Sequence, residues 1–327
     1  MATQLSLSVI ILCCNVRPFL ADAVTSLANN ARDDFEFLFV DDASTDGTAE
    51  ALRASAHRLG KRATVLRQED NEGPASARNR GLDEAGGRYI TFLDGDDWLG
   101  RGYLPKLLDV IQRHDVDFVR TDHVRVTGLR RKLWRAPAAR RNVPLSPRES
   151  ILPVHRATMV DYPYSWAGVY HRRLLDRGLL RFPDGLHTAE DRPWIWNLHR
   201  RADSYLVPSL YGVFYRRGIT TSLTQVGDMR QLDFLRAFDQ VLAELEHDHE
   251  ADLLRPKAIR NYCAVILHHL ANTQRLERSV KRSLKELSAQ ALRRIPHEHL
   301  NAVLAGMNAD RAHTLRRLHG GRRSVIG

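Results

Sequence analysis

Residues 92–99, FLDGDDWL, put Asp94, Asp96 and Asp97 directly behind an apolar run. Like charges this close repel, and a carboxylate at the end of a buried strand is costly unless a cation neutralises it. A second acidic pair, Asp41 and Asp42, ends the run FEFLFVDDAS in the same manner. Small groups of hard oxygen donors suit Mg²⁺ or Mn²⁺, which bind through one or two carboxylates plus substrate phosphates. Aspartate also forms turns and caps helices, which accounts for Asp46 in STDG but not for three acids in one loop. The stretch NEGPASARNRG adds Arg78 and Arg80, whose guanidinium forks fit a phosphate or a base edge. Acids that hold a cation beside arginines that hold phosphate point to a nucleoside diphosphate site.

The elements that must position these groups are readable from periodicity. LSLSVIILCC is a near-continuous apolar run, as a strand buried on both faces requires. RPFLADAVTSLANN follows with Phe19, Leu20, Val24 and Leu27 at helical spacing, and then comes the strand ending in Asp41 and Asp42. Ser44, Thr45 and Asp46 resemble helix caps, and the helix after them stops at Gly60. ATVLRQ, GPASARNRGLDEAGG and RYITFLD read as strand, helix and strand. Alternation at this spacing predicts an α/β chain with a mostly parallel, doubly wound sheet, in which ligands sit beyond the carboxyl ends of the strands. Both acidic clusters then fall on one edge. DVDFVRTDH reads as a further strand, and the Arg- and Pro-rich GLRRKLWRAPAARRNVPLSPRES as an exposed loop or edge ribbon. SWAGVYHRRLLDRGLLRF predicts a strand and short helix, AEDRPWIWNLHRRA a helix, and SYLVPSLYGVFYRRG the last strands. From about Gln231 the apolar stripes become helical, beginning with Leu232, Leu235, Phe238, Val241, Leu242 and Leu245.

Composition narrows the partners. The chain has 327 residues, of which 43% are hydrophobic and 27% charged, ordinary for a globular protein with a sizeable core. No apolar run is long enough for a transmembrane helix, and the start reads as a first strand rather than a signal peptide. Cys13, Cys14 and Cys263 are badly spaced for disulfides or zinc; the adjacent Cys13 and Cys14 are expected to be small apolar fillers in a strand, and a reducing, cytoplasmic compartment fits. The formal net charge of +10 leaves nucleic acid, an anionic membrane face and phosphorylated substrates open.

The ordered motifs SVIILCCNVRPFLADAVTSL, FLFVDDASTDGT and NEGPASARNRGLDEAGGRYITFLDGDDWL resemble glycosyltransferase family 2 over residues 5 to 225. These are inverting enzymes of the Rossmann-like GT-A fold, and the likeness is to the branch that builds bacterial surface polysaccharides and teichoic-acid decorations. The resemblance implies a catalytic domain over 1–225, with a nucleotide-sugar half over 1–125 and an acceptor half over 126–225. An α-helical C-terminal region over 226–327 would follow. It implies that Asp42, with Asp41 beside it, contacts the base or ribose and that Arg78 lies near the nucleotide. In DGD, Asp94 would face the ribose and Asp96 would hold Mg²⁺ or Mn²⁺ on the diphosphate, with Asp97 adjacent. In HTAEDRPWIW, Asp191 would be the catalytic base and Glu190 its support. In FYRRGITTSLT, Arg216, Arg217 and Ser222 would clasp the diphosphate or cover the donor, expected to be a UDP-sugar. Where the family carries Pro, a small residue and Tyr at the end of the first strand, this chain has Leu12, Cys13 and Cys14, so the aromatic contact to the base is missing.

Chemistry fits these roles. An inverting transfer needs a base for the acceptor hydroxyl and positive charge for the leaving diphosphate. Asp191 at a helix start is favoured in its ionised form, although an acidic pair there also serves as an N-terminal cap. Trp194 is a candidate platform for an acceptor sugar, with one of Trp194 and Trp196 expected in the core. Arg130, Arg131, Lys132, Arg140 and Arg141 are expected either to guide a glycan, an anionic polymer or a lipid-linked acceptor, or to form a solvated loop. Peripheral association with the inner membrane face and self-association through the C-terminal helices complete the expected partners. A nucleic-acid-binding protein needs aromatics interleaved with the cations, and Trp134 alone does not supply them. A sugar-nucleotide-binding protein without activity has no use for AED, and a nucleotidyltransferase of this fold needs a Gly- and Arg-rich first loop that CCNVRPF lacks.

Overall fold

The computed structural model describes residues 5–60, 62–219 and 226–320. The first half alternates strand and helix: β1 (Leu7–Cys13), α1 (Leu20–Ala28), β2 (Phe35–Asp42), α2 (Thr48–Ser55), β3 (Ala63–Gln68), α3 (Pro74–Glu84) and β4 (Tyr89–Asp94). A two-residue strand β5 (Trp98–Leu99) and α4 (Tyr103–His114) lead into β6 (Phe118–Arg120), β7 (Asp122–Thr127) and β8 (Arg130–Trp134). After a long irregular passage come β9 (Gly168–His171), the short α5 (Arg173–Asp176), α6 (Asp191–Arg201), β10 (Tyr205–Leu206) and β11 (Tyr211–Arg216). The rest is helical: α7 (Asp233–Glu246), α8 (Ala251–Ala271), α9 (Arg278–Arg294), α10 (His297–Ala305) and α11 (Ala309–Gly320).

Seven strands form the main sheet in the order β10-β6-β9-β4-β1-β2-β3. All pairs are parallel except those of β9, which runs antiparallel between β4 and β6. Every residue of β1 is buried, because helices cover both faces of the sheet. Register places Cys13 beside Asp41 and Leu12 beside Asp94, so β1 lies between the two acidic strand ends. The carboxylates therefore share one edge, as the parallel reading expects. Gly95 is required there, since a Cβ would stand 2.7 Å from the Leu12 carbonyl oxygen.

A second sheet, β5-β11-β7-β8, packs beyond the carboxylate edge. The expected single strand DVDFVRTDH is in fact two: β6 belongs to the main sheet, and β7 pairs parallel with β11 in the other. The change occurs at Thr121, buried and bonded through its hydroxyl to the Tyr103 hydroxyl at 2.8 Å. No Gly, Pro or other turn residue between the two strands gives a sign of such a jump, and both strands are buried. The Arg-rich stretch contributes the exposed edge strand β8. The expectation of strand fillers holds for Cys13, which is buried, but not for Cys14, which is exposed past the strand end and accepts a hydrogen bond from Asn71; Cys263 is buried in α8.

The C-terminal helices share the main core. Val241, Leu245, Leu254 and Ala258 join the cluster that includes the sheet, while Phe238, Tyr262, Ile266, Leu284 and Leu292 build a second cluster. Each fully buried side chain of this size contributes about 1.5–3 kcal/mol. Polar anchors add to the docking: the buried Lys257 Nζ donates to Asp161 Oδ2 at 2.6 Å and to the Arg156 carbonyl oxygen at 2.7 Å. Among the described residues no helix is long and apolar enough to cross a membrane.

Candidate active site

The crevice lies where the ends of β1, β2 and β4 meet the start of α6. Asp94 and Asp96 are partly open to it, whereas Asp97 is fully buried. Asp97 turns inward and its Oδ1 accepts the backbone N–H of Arg216 at 2.7 Å, which ties the acidic loop to the end of β11. Its Oδ2 is buried without a hydrogen-bond partner. Burial and the neighbouring Asp94 charge push the Asp96 carboxyl up to about 7, against the pull of Arg216. Burial and the Asp96 and Asp94 charges push Asp97 well above the usual carboxylate range. Acids held so close call for a cation.

Arg216 serves this loop structurally. Its Nε donates to the Asp96 carbonyl oxygen at 2.9 Å and its Nη2 to Asp22 Oδ2 at 3.1 Å. The guanidinium carbon sits 4.8 Å from the Phe19 ring centre and 4.6 Å from that of Trp98. Arg217 donates its backbone N–H to Val126 at 2.7 Å and its Nη1 to the Tyr215 hydroxyl at 3.1 Å. Both arginines line a cleft of about 360 Å³ with Phe19, Val126, Gly128 and Ile219. Ser222 lies outside the described residues.

On the β2 side, Asp42 spends both oxygens on the backbone, accepting the N–H of Glu72 at 2.9 Å and of Gly73 at 3.0 Å. It thereby shapes the turn into α3. Asp41 is fully buried, with Arg67 Nη1 3.0 Å from its Oδ2. Three non-glycine residues with positive φ flank the site: Asn15 (53°), Ala43 (51°) and Ala189 (60°). Such strain persists only where the surroundings over-determine it, and it concentrates at functional positions.

Arg78, from α3, spans the crevice. Its Nη1 donates to Glu190 Oε1 at 2.5 Å and its Nη2 lies 3.4 Å from Asp94 Oδ1. The guanidinium is buried and 5.0 Å from the Phe182 ring centre. Asp191 opens α6 with its side chain 28% exposed, at the mouth of the crevice. Loss of water pushes its carboxyl up to about 7, with Arg192 and Arg78 pulling down and Glu190 pushing up. The fold thus brings Arg78, Asp94, Asp96, Glu190 and Asp191 to one place from three segments.

Trp194 is not in the crevice. It is 1% exposed and stacked on Phe182 at 5.2 Å between centroids, so it has no face for a sugar; Trp196 is equally buried. Both indoles are buried because α6 is enclosed on more than one side, Trp194 meeting Tyr170 of β9 while α7 packs along the helix. A separate aromatic group, Tyr164, Trp166 and Tyr215, packs at the second sheet, with Trp166 and Tyr215 centroids 5.1 Å apart; Trp166 is buried and the two tyrosines are half-buried. Arg130, Arg131 and Lys132 stand exposed on β8, and Arg140 is also exposed. Arg141 is structural: its Nη2 pairs with Asp122 Oδ1 at 2.9 Å and with the Ala136 carbonyl oxygen at 3.0 Å.

Sequence reasoning missed Asp233. Its Oδ2 accepts the backbone N–H groups of His187 at 2.8 Å and Thr188 at 3.3 Å, while Thr188 Oγ1 donates to the Arg230 carbonyl oxygen at 2.6 Å. The loop that delivers Glu190 and Asp191 is therefore held by the C-terminal helices. An acid at the first position of α7 looks like an ordinary dipole-matching residue, so nothing local singles it out.

Comparison with known proteins agrees with the geometry. The sequence profile described as glycosyl transferase family 2 matches residues 8–181. The uncharacterized glycosyltransferase EpsJ of Bacillus subtilis is 25% identical over 305 residues, 89% of this chain and 87% of that protein. The poly(ribitol-phosphate) β-N-acetylglucosaminyltransferase TarS of Staphylococcus aureus is 26% identical over 77% of this chain, a match that spans 43% of TarS. The crystal structure of TarS residues 1–349 in complex with UDP-GlcNAc superposes with a TM-score of 0.72 at 20% identity, covering 96% of this chain and 87% of that one. A mannosyltransferase from Pyrobaculum calidifontis, solved with GDP-Man and Mn²⁺, gives 0.52 at 18% identity, covering 97% and 88%. The matched span takes in both acidic strand ends and the Arg78 helix; this chain belongs to glycosyl transferase family 2, and it is a glycosyltransferase.

Proposed function

We propose that the protein is a metal-dependent inverting glycosyltransferase. It moves a sugar, a hexose or N-acetylhexosamine, from a UDP-sugar or related donor to a hydroxyl of a glycan, an anionic polymer or a lipid-linked acceptor in cell-surface polysaccharide synthesis. The observation that carries this reading is the Arg78 bridge, which joins Glu190, next to Asp191, to Asp94 of the acidic loop. One guanidinium thereby sets the separation of the base from the donor-side carboxylates.

The residues suit a divalent ion. Among the described residues no three His, Cys, Asp or Glu side chains form a closed metal cage. The acidic loop offers Asp94 and Asp96, partly open, with Asp97 fixing the loop from behind. That matches Mg²⁺ or Mn²⁺, which take one or two carboxylates and complete their shell with phosphate oxygens and water. Asp96 is the residue to hold the ion, which when bound offsets the negative charge of the departing diphosphate.

The remaining steps belong to the chain. Asp191 accepts the proton of the acceptor hydroxyl as its oxygen attacks the anomeric carbon. The bond from that carbon to the diphosphate oxygen breaks, and the nucleoside diphosphate leaves with the electron pair. Attack from the face opposite the leaving group inverts the anomeric configuration. Glu190 and Arg78 hold the geometry, and Asp41, Asp42 and Arg67 shape the nucleotide side. Arg216 and Arg217 border the donor cleft, and Arg130, Arg131 and Arg140 draw an anionic acceptor to the crevice. Residues 1–225 are the catalytic part, and 226–327 the helical part that braces the base loop. The enzyme works on the cytoplasmic side, peripheral to the membrane.

The test is calorimetric titration of UDP, GDP, CDP and dTDP, each with and without Mn²⁺, into wild type, Asp96→Asn and Asp191→Asn. The reading expects metal-dependent binding of one nucleotide, loss in Asp96→Asn, and retention in Asp191→Asn. No binding of any nucleotide would end it.

A further inference from the structure

We propose that the β7–β8 hairpin is a docking element for an anionic lipid bilayer. Residues 123–148 contain eight Lys and Arg and no Asp or Glu; subtracting these eight from the formal net charge of +10 leaves +2 for the rest of the chain. The excess charge is thus one local feature. Arg141 and Arg148 are neutralised within the fold by Asp122 and by Asp248 and Glu250. Arg130, Arg131, Lys132, Arg135 and Arg140 are exposed and have no carboxylate partner among the described residues.

The same hairpin carries apolar groups that a hydrated polyanion has no use for. Thr127 pairs with Arg130, so Gly128 and Leu129 form a two-residue turn, with Gly128 supplying the required positive φ of 55°. That turn places Leu129 at the tip with its side chain entirely in solvent, at 103% relative exposure. Leu133 and Trp134 are also exposed, on opposite faces of β8 by strand alternation. The Trp134 ring is stiffened by the Arg125 guanidinium, 3.5 Å from its centre. Apolar and interfacial aromatic side chains within a ring of cations are what a bilayer surface binds, inserting the former and attracting the latter.

A second copy of the chain is the other occupant an open edge strand invites, but Arg130, Arg131 and Lys132 would face their own like charges across such a pair. A soluble anionic polymer would use the cations and leave Leu129 idle. The hairpin also belongs to the sheet that holds the acidic loop through β11, so docking there presents the crevice to the membrane. This deepens the transfer reading by making the acceptor membrane-bound, and it rests on that reading only for this consequence.

The test is co-sedimentation of the full chain with vesicles of phosphatidylcholine alone or mixed with phosphatidylglycerol, without donor or acceptor, so a negative result leaves the transfer reading untouched. Wild type should bind the mixed vesicles and not the neutral ones. Arg130→Glu/Arg131→Glu/Lys132→Glu should lose at least about tenfold in partitioning and Leu129→Ser about fivefold. Brominated lipid should quench wild-type fluorescence and not that of Trp134→Phe. All substituted side chains are exposed, and circular dichroism checks the fold. Vesicle binding indifferent to Leu129→Ser, or retention on soluble poly(glycerol phosphate) but not on vesicles, would overturn the proposal.

Discussion

Arg78 Nη1 and Glu190 Oε1 meet at 2.5 Å across 112 residues of sequence, inside the protein. The same guanidinium reaches Asp94 at 3.4 Å. Two distant segments of the chain are thus clasped beside the acidic loop.

Removing one partner of a buried pair leaves the other charge uncompensated, at a cost of about 3–5 kcal/mol. Arg78→Ala should therefore lower stability by that order and reduce transfer further. Arg78→Lys keeps the charge but cannot fork, so it should recover most of the stability in urea denaturation and little of the rate. Equal recovery of both would show that Arg78 matters only as a charge.

Asp191 must be ionised to act as a base, and its carboxyl is pushed up to about 7. The rate should climb with pH and level off above about pH 7, and Asp191→Asn should lose about 10²–10⁴-fold at the plateau. Stability runs the other way. A carboxyl raised in the folded state favours folding while protonated, so its ionisation destabilises the protein as pH rises from the ordinary carboxylate range through about 7. Asp191→Asn should thus raise Tm at about pH 8 and not at about pH 4. A pH-independent Tm difference would contradict this.

Asp233 acts through backbone, holding the N–H groups of His187 and Thr188. Asp233→Ala should lower kcat about tenfold while nucleotide affinity stays within about twofold, and Asp233→Asn, which still presents an oxygen acceptor, should recover most of it. A fall in nucleotide affinity of the same size would assign Asp233 a general structural role.

Metal dependence is checked by removal. Chelation with EDTA should abolish transfer, and Mg²⁺ or Mn²⁺ should restore it. Asp96→Asn should show no metal-dependent binding of nucleoside diphosphate, and added Mg²⁺ or Mn²⁺ should not restore its transfer. Full activity after exhaustive chelation would refute the assigned role of Asp96.

The helical region has its own pH signature. Burial opposes ionisation of Asp248, but bonds from Arg148, the Glu250 N–H and Arg200 outweigh it and hold the carboxyl down to about 2. Its contribution is complete above the unfolded carboxylate value and is lost as pH falls through about 2. Asp248→Asn should cost about 2–3 kcal/mol near neutral pH and progressively less in acid, read by urea titration. An undiminished cost in acid would mean that charge is not the source.

Much of this was legible without the fold. The alternation of LSLSVIILCC, FEFLFVDD and RYITFLD with helical segments sets a buried parallel sheet, because apolar period and turn chemistry act within a few residues. The types and order of Asp41, Asp42, Asp94, Asp96 and the Glu190–Asp191 pair also stand in the linear text, as does the isolation of positive charge in 123–148. What only the tertiary structure decided is which groups face one another. It inserted β9 antiparallel between β4 and β6, split one apparent strand between two sheets, buried Trp194 and spent Arg216 on Asp96 and Asp22. It also gave Glu190 its partner on α3 and its loop an anchor on α7. Contacts between residues dozens of positions apart leave no periodic trace, since their energy depends on how whole elements pack and not on the spacing of neighbours.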